Sequence, residues 1–247
     1  MEKQEKNIEE VNAGRAREEL LFPFVIAFVV FAAITVATFA FMRKYQWIGG
    51  ISDLIGIIVL GFFIYFYRDP EREITAKAED ILCPADGKIV GIEEVNNAPG
   101  LKGKYTRISI FLNVHNVHIQ RMPFDAKIMD ITQICGRLLP AFHKDAGAKN
   151  RQNIYIIKGE KITAAMKQIA GVLVHRPISW VEPGEELKAG DRFGMITFGS
   201  RVELFVPAAC NITAIEDEIV YAGTTLLGKM SGAKEKNKKP LSRALKA

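Results

Sequence analysis

The 247-residue chain is long enough for one sizeable domain or two small ones, and a composition of 49% hydrophobic and 25% charged residues suits a folded protein. The formal net charge of +5 resides in the end of the chain: Lys229 to Ala247 carries seven Lys/Arg and one Glu, which leaves the remainder near neutral. A basic tail without a basic folded surface argues against a nucleic-acid-binding protein. The three cysteines, Cys83, Cys135 and Cys210, are far apart and form no C-x-x-C pair. That argues against a zinc site or a disulfide framework and for thiols in a reducing compartment.

The apolar residues concentrate between Leu20 and Tyr67. Leu20 to Met42 runs without a charge, and at ~1.5 Å per residue it is long enough for the ~30 Å core of a bilayer. Arg43, Lys44 and Trp47 follow, and then a second apolar run, Ile48 to Tyr67, interrupted by Asp53 and ending in aromatic residues. The pattern predicts a transmembrane helical hairpin over 20–67. A cleaved signal peptide fits poorly, because the run is too long and acidic residues precede it; a buried soluble hairpin is the other reading. Lys3, Lys6, Arg15 and Arg17 lie before the first run and Arg68, Arg72 and Lys77 after the second. This bias places both ends on the cytoplasmic side of the cell membrane. The organisation expected is a cytoplasmic segment 1–19, a two-helix anchor 20–67, a folded domain 68–228 and a basic tail 229–247.

Beyond Ile81 short apolar runs alternate with turn signals. Lys88 to Val95 follows the turn Ala85-Asp86-Gly87, and Thr106 to Leu112 alternates with period two. Asn153 to Lys158 ends at a hairpin signal, Gly159-Glu160-Lys161; Lys161 to Ile169 is ambiguous between helix and strand. Gly171 to His175 is a further strand. Pro183-Gly184 and Ala189-Gly190-Asp191 mark turns, and Phe193 to Val206 reads as two strands broken at Gly199-Ser200. The fold class expected is mainly β (α+β), the helical hairpin being followed by a compact antiparallel domain of short strands, as a sandwich or hybrid barrel.

Four segments carry chemistry. Gly190-Asp-Arg-Phe-Gly-Met-Ile-Thr-Phe-Gly199-Ser200-Arg-Val-Glu-Leu-Phe-Val-Pro207 resembles the self-cleavage stretch of the phosphatidylserine decarboxylase family in its short form. In the same order as in that family come Tyr67-Arg68-Asp69-Pro70-Glu71-Arg72, Pro84-Ala85-Asp86-Gly87-Lys88, and a histidine segment from Phe111 through His118 to Pro123. The resemblance spans roughly residues 60 to 210.

It implies that the Gly199–Ser200 bond breaks autocatalytically and that Ser200 becomes a pyruvoyl group, the cofactor, which forms a Schiff base with the substrate amine and accepts electrons as carbon dioxide leaves. The reaction implied is decarboxylation of a phosphatidylserine-type lipid to its ethanolamine counterpart. The archaeal ether lipid archaetidylserine is a further substrate option, because only the serine headgroup enters the chemistry and the motifs do not distinguish the tails. A serine after a glycine suits this step: its hydroxyl can attack an unhindered preceding carbonyl, given a base to take its proton.

His118 is the candidate base and Asp86 its candidate orienter; His115 is a second candidate. The longer bacterial form has H-x-x-H-x-P, whose first histidine falls on His118 and whose second falls on Arg121. Either His118 serves both self-cleavage and reprotonation of substrate, or another group helps. Asn150-Arg151-Gln152-Asn153 partly resembles a family N-E-R element but lacks the Glu, and is given no role. His143 and His175 read as surface or structural residues. Arg121, Arg201 and Arg137 are the options for the lipid phosphate. The partners implied are a membrane phospholipid and the two fragments for each other; a homodimer is left open. Two other readings remain: a carrier-type hybrid barrel, suggested by the turns of 181–206, and an uncleaved membrane-tethered structural protein.

Overall fold

A computed structural model describes residues 26, 29–36, 46–141, 143, 145–172, 177–196 and 199–230. Residues 29–36 are helical, and a longer helix, α1, runs Gln46–Phe66. The two touch: Thr35 Oγ1 donates to Asp53 Oδ1 at 3.0 Å. Here the sequence expectation is corrected. Among the described residues no helix is long and apolar enough to cross a membrane. The transmembrane hairpin over 20–67 is therefore not what the structure supports. Much of its first half lies outside the described residues. In its second half Asp53 interrupts the apolar face of a continuous helix, and the charge-free run at 54–66 reaches only ~20 Å at 1.5 Å per residue, short of the ~30 Å needed.

The rest of the described chain is built of antiparallel strands. They are β1 Asp80–Leu82, β2 Gly87–Ala98, β3 Leu101–Leu112, β4 Ile119–Arg121, β5 Ala126–Ile134, β6 Gln152–Lys158, β7 Thr163–Ile169, β8 Ile178–Ser179, β9 Glu186–Leu187, β10 Arg192–Met195, β11 Ser200–Pro207, β12 Asn211–Ile212, β13 Ile219–Val220 and β14 Leu226–Lys229. A short helix, α2, spans Ala146–Lys149. One sheet has the order β13-β2-β3-β11-β7-β6-β5-β9, and two three-stranded sheets have the orders β1-β14-β12 and β4-β10-β8.

The mainly β expectation for this region agrees with these sheets. The ambiguous segment 161–169 is a strand from Thr163 on, because pairing with β6 and β11 overrides its weak local preference. Residues 171–172 do not form the expected strand; they turn, and 173–176, with His175, lie outside the described residues. The domain also extends past 228: Lys229 pairs with Asp80, and the Met230 amide donates to the Glu79 carbonyl at 2.8 Å. The rest of the expected tail, 231–247, is outside the described residues.

Strand β11 lies in the middle of the large sheet. Its Ser200, Val202, Leu204 and Val206 share one face; the last three belong to the main core with Ile89, Ile108, Ile110, Leu112 and Phe193. Arg201, Glu203 and Phe205 take the opposite face. This alternation decides that Ser200, at the head of the strand, is turned inward.

Candidate active site

The link between β10 and β11 carries the expected cleavage bond. Gly199 has φ +62°, in the left-handed region, and a Cβ there would meet nothing within 4 Å. Glycine is therefore required by the backbone and not by crowding; Gly199→Ala should cost ~1–2 kcal/mol of stability, read as a lower melting temperature. The next residue enters the sheet at once, Ser200 pairing with Leu112 of β3.

The chain then returns to the same place. After Leu112 a turn closes at 113–116, with the Asn116 amide donating to the Asn113 carbonyl at 2.9 Å and the Asn113 amide to Asn116 Oδ1 at 2.8 Å. That turn delivers His118, whose carbonyl accepts from the Ile196 amide at 3.2 Å. The Gly199–Ser200 bond thus sits between two ties to one short segment, Ile196 to His118 on one side and Ser200 to Leu112 on the other.

Both side chains expected to do chemistry are fully buried. Ser200 Oγ, His118 Nδ1 and His118 Nε2 have no hydrogen-bond partner. Buried polar atoms without a protein partner are costly, and on these two candidate residues they leave a hydroxyl and an imidazole free to react with each other or with substrate. Burial lowers the His118 pKa to about 4; the nearby Asn116 carbonyl favours the charged ring without hydrogen-bond geometry, Arg68 opposes it, and Asp86 acts weakly the other way. The imidazole is neutral at pH 7 and able to accept a proton. Phe66, the last residue of α1, packs on it with ring centroids 4.2 Å apart at 30°. Phe66, Val117, Ile119, Trp180 and Met195 form the apolar cluster on this side.

Asp86 is elsewhere engaged. Its carboxylate takes a bidentate pair from Arg72, at 2.7 and 2.8 Å, and the Ala222 amide at 2.7 Å. No hydrogen bond joins it to His118. Arg121, at the second-histidine position, is 5% exposed and donates to the Gly190 carbonyl (3.1 Å), the Pro70 carbonyl (3.2 Å) and Asp69 Oδ1 (3.2 Å). A guanidinium so held is not a base. It is a clamp: Asp69 also pairs with Arg192 at 2.7 Å, so Tyr67-Arg68-Asp69-Pro70-Glu71-Arg72 is stitched to β4, β10 and the turn before β2. Arg121→Met should destabilise the protein by about 1–3 kcal/mol, measurable by denaturant titration, because the buried Gly190 carbonyl and two part-buried acceptors, Asp69 and the Pro70 carbonyl, lose a charged donor.

His115 is exposed; its carbonyl accepts from Arg68 at 2.5 Å and the Tyr65 hydroxyl at 3.2 Å, and its ring meets the Tyr65 ring edge-on at 6.5 Å. His143 is exposed as well, its Nδ1 accepting the Asp145 amide at 3.2 Å. Arg201 pairs with Glu203 at 3.0 Å on the face away from Ser200, while Arg137 is exposed. Asn150 is fully satisfied, bracing the Leu139 and Ala170 carbonyls, each at 2.7 Å.

Sequence reasoning missed Arg72 as the partner of Asp86 and Phe66 as the wall of His118. Proximity of residues this distant along the chain leaves no periodic trace.

These elements coincide with the region matched by a family model. The model described as phosphatidylserine decarboxylase matches residues 59–228. The chain belongs to the phosphatidylserine decarboxylase family. By class it is a carboxy-lyase of that family. A phosphatidylserine decarboxylase proenzyme of Magnetococcus marinus is 32% identical over 212 residues, covering 85% of this chain and 94% of that protein. The proenzyme so named in Burkholderia vietnamiensis is 38% identical over 176 residues, 70% of this chain and 81% of its own. That of Syntrophus aciditrophicus is 35% identical over 216 residues, 86% and 96%. The family match begins inside α1 and takes in all fourteen strands at least in part.

Proposed function

We propose that the chain cuts itself between Gly199 and Ser200 and then decarboxylates a phosphatidylserine-type lipid to the ethanolamine lipid. The observation that carries this reading is the pair of fully buried, unpartnered side chains, His118 and Ser200, tied to one short segment on either side of a left-handed glycine.

In self-cleavage, Ser200 Oγ attacks the Gly199 carbonyl carbon. The C–N bond breaks, the acyl group passes to oxygen, and the nitrogen is left as an amine. His118, neutral at pH 7, takes the hydroxyl proton and can return it to that nitrogen. Loss of the Ser200 α-proton then breaks the Cβ–O bond and frees the Gly199 carboxylate. Water replaces the nitrogen, ammonia leaves, and residue 200 ends as pyruvoyl. An orphaned Oγ at the head of a buried strand fits such a group at residue 200. The pyruvoyl ketone supplies an electron sink for the substrate amine, doing from within the chain what a pyridoxal cofactor does. His118 is then the group proposed to return a proton to the substrate carbon that has lost carbon dioxide. Asp86 contributes charge near His118 and would orient it only after release from Arg72.

The reading concerns the headgroup; lipids with ester acyl tails or the ether isoprenoid tails of archaetidylserine both satisfy it, and assays on each separate them. The reaction belongs at a membrane surface, where the substrate is. Leu54, Ile57, Ile58 and Ile64 of α1 are exposed, and the helix ends on His118, so an apolar surface leads to the site. On the cytoplasmic face, anionic lipid would also attract the Lys-rich tail.

Intact-mass measurement of purified protein tests the proposal. It should yield fragments of 199 and 48 residues, the second with a pyruvoyl-blocked N-terminus. An active preparation containing one unmodified chain would overturn it. The fragments should co-elute without denaturant and part only when unfolded, because β11 heads the small fragment and is paired on both sides by β3 and β7 of the large one.

A further inference from the structure

A chain of buried side-chain hydrogen bonds crosses from the large sheet to the small one and ends on His118. Tyr155 OH donates to Gln168 Oε1 at 2.7 Å, and Asn153 Nδ2 donates to the same oxygen at 3.1 Å. Gln168 Nε2 donates to Gln120 Oε1 at 2.8 Å, and Gln120 Nε2 to the His118 carbonyl at 2.7 Å. Asn153 is 3% exposed; Tyr155, Gln168, Gln120 and His118 are 0% exposed. Gln168 and Gln120 each accept a hydrogen bond at Oε1 and donate one from Nε2, so the orientation of both amides is set by their neighbours. Gly194 lets the chain through: a Cβ there would come within 2.6 Å of Gln168 Nε2. The His118 carbonyl is also the acceptor for the Ile196 amide, four residues before Ser200.

We infer that Gln120, Gln168 and Tyr155 are positioning residues for self-cleavage, forming a relay that holds the His118 backbone against the segment leading to the Gly199–Ser200 bond. The inference rests on the proposed self-cleavage. Two sheets could be joined as firmly by apolar packing, which carries no desolvation cost. The relay, by contrast, specifies one position and one orientation for a single carbonyl, and that carbonyl belongs to the candidate base.

The test follows the appearance of the two fragments after cell-free synthesis of the full chain, across pH 5 to 8. Gln120→Met removes the donor, and cleavage should slow by about tenfold or more at every pH, the effect of leaving buried partners unsatisfied. Gln120→Glu is the discriminating variant. Burial holds its carboxyl neutral to higher pH than usual; neutral, it can donate to the His118 carbonyl as the amide does, whereas ionised it cannot. Its cleavage should be slow at pH 8 and recover towards the wild-type rate near pH 5, where wild type, with His118 still neutral, is unchanged. Tyr155→Phe, a milder change, should slow cleavage less than Gln120→Met at similar melting temperature. Wild-type rates in Gln120→Met and Gln120→Glu, or equal slowing of both at all pH values, would overturn the relay. Failure of the wild-type chain to yield the fragments would overturn the underlying proposal instead.

Discussion

Ser200→Ala should leave one uncut 247-residue chain and no measurable decarboxylation. Two losses coincide in this variant. No hydroxyl remains to attack the Gly199 carbonyl, and no precursor remains for a carbonyl at residue 200. The fold should survive: Ser200 Oγ has no hydrogen-bond partner, so its removal leaves no group unsatisfied, and alanine suits a buried position in a central strand. Melting temperature should therefore match or exceed that of the uncut wild-type chain. This separates the chemical role from a structural one. Decarboxylation by uncut Ser200→Ala protein would refute the assignment. Ser200→Cys keeps a nucleophile and should cleave, more slowly, since self-cleavage needs a group able to accept the acyl chain.

The second large effect is at His118. His118→Ala should slow self-cleavage by about 10²–10⁴-fold, the usual contribution of a positioned general base. In the wild-type chain the cleavage rate should be level from pH 8 to about 5 and decline as pH falls through the lowered His118 pKa of about 4, because only the neutral ring accepts the proton. Stability carries the same sign. The unfolded histidine protonates near pH 6.5 and the folded one near 4, so the unfolded state binds the extra proton between them. Stability from this group is complete above pH 6.5 and is lost as pH falls towards 4. His118→Phe should flatten that part of the stability profile and abolish the cleavage limb. Normal maturation of His118→Ala with loss of turnover alone would move the self-cleavage role to another group. Arg121 is a poor substitute, since its guanidinium stays protonated and is bound to Asp69, Pro70 and Gly190.

Arg121 also shows what a family pattern conveys and what it does not. Where the longer form has a histidine, this chain has an arginine, and in the structure that arginine pins the segment after α1 to the domain. This role follows from burial and from Asp69, neither of which the one-dimensional pattern records. Asp86 makes a similar point. Its place before Gly87 is a plain turn signal, but Arg72, fourteen residues earlier, has taken its carboxylate. The apolar run at 46–66 is legible as a helix but does not amount to a span. The sequence shows Asp53 inside this run, and the charge leaves too short an apolar stretch for a span.

The Gly199–Ser200 bond stood out in the sequence through the flanking stretch Gly190 to Pro207 that resembles the family's, since a Gly-Ser pair alone reads as an ordinary turn; the strand pattern after it turns Ser200 to the inner face of β11. The strands themselves were legible where period-two alternation was strong, as in 106–112 and 200–206. Tertiary structure alone decided the rest. It brought the Ile196 amide to the His118 carbonyl, buried His118 and Ser200, and ran the Tyr155–Gln168–Gln120 hydrogen bonds between sheets. These depend on burial and on contacts between residues far apart along the chain, for which strand periodicity holds no information.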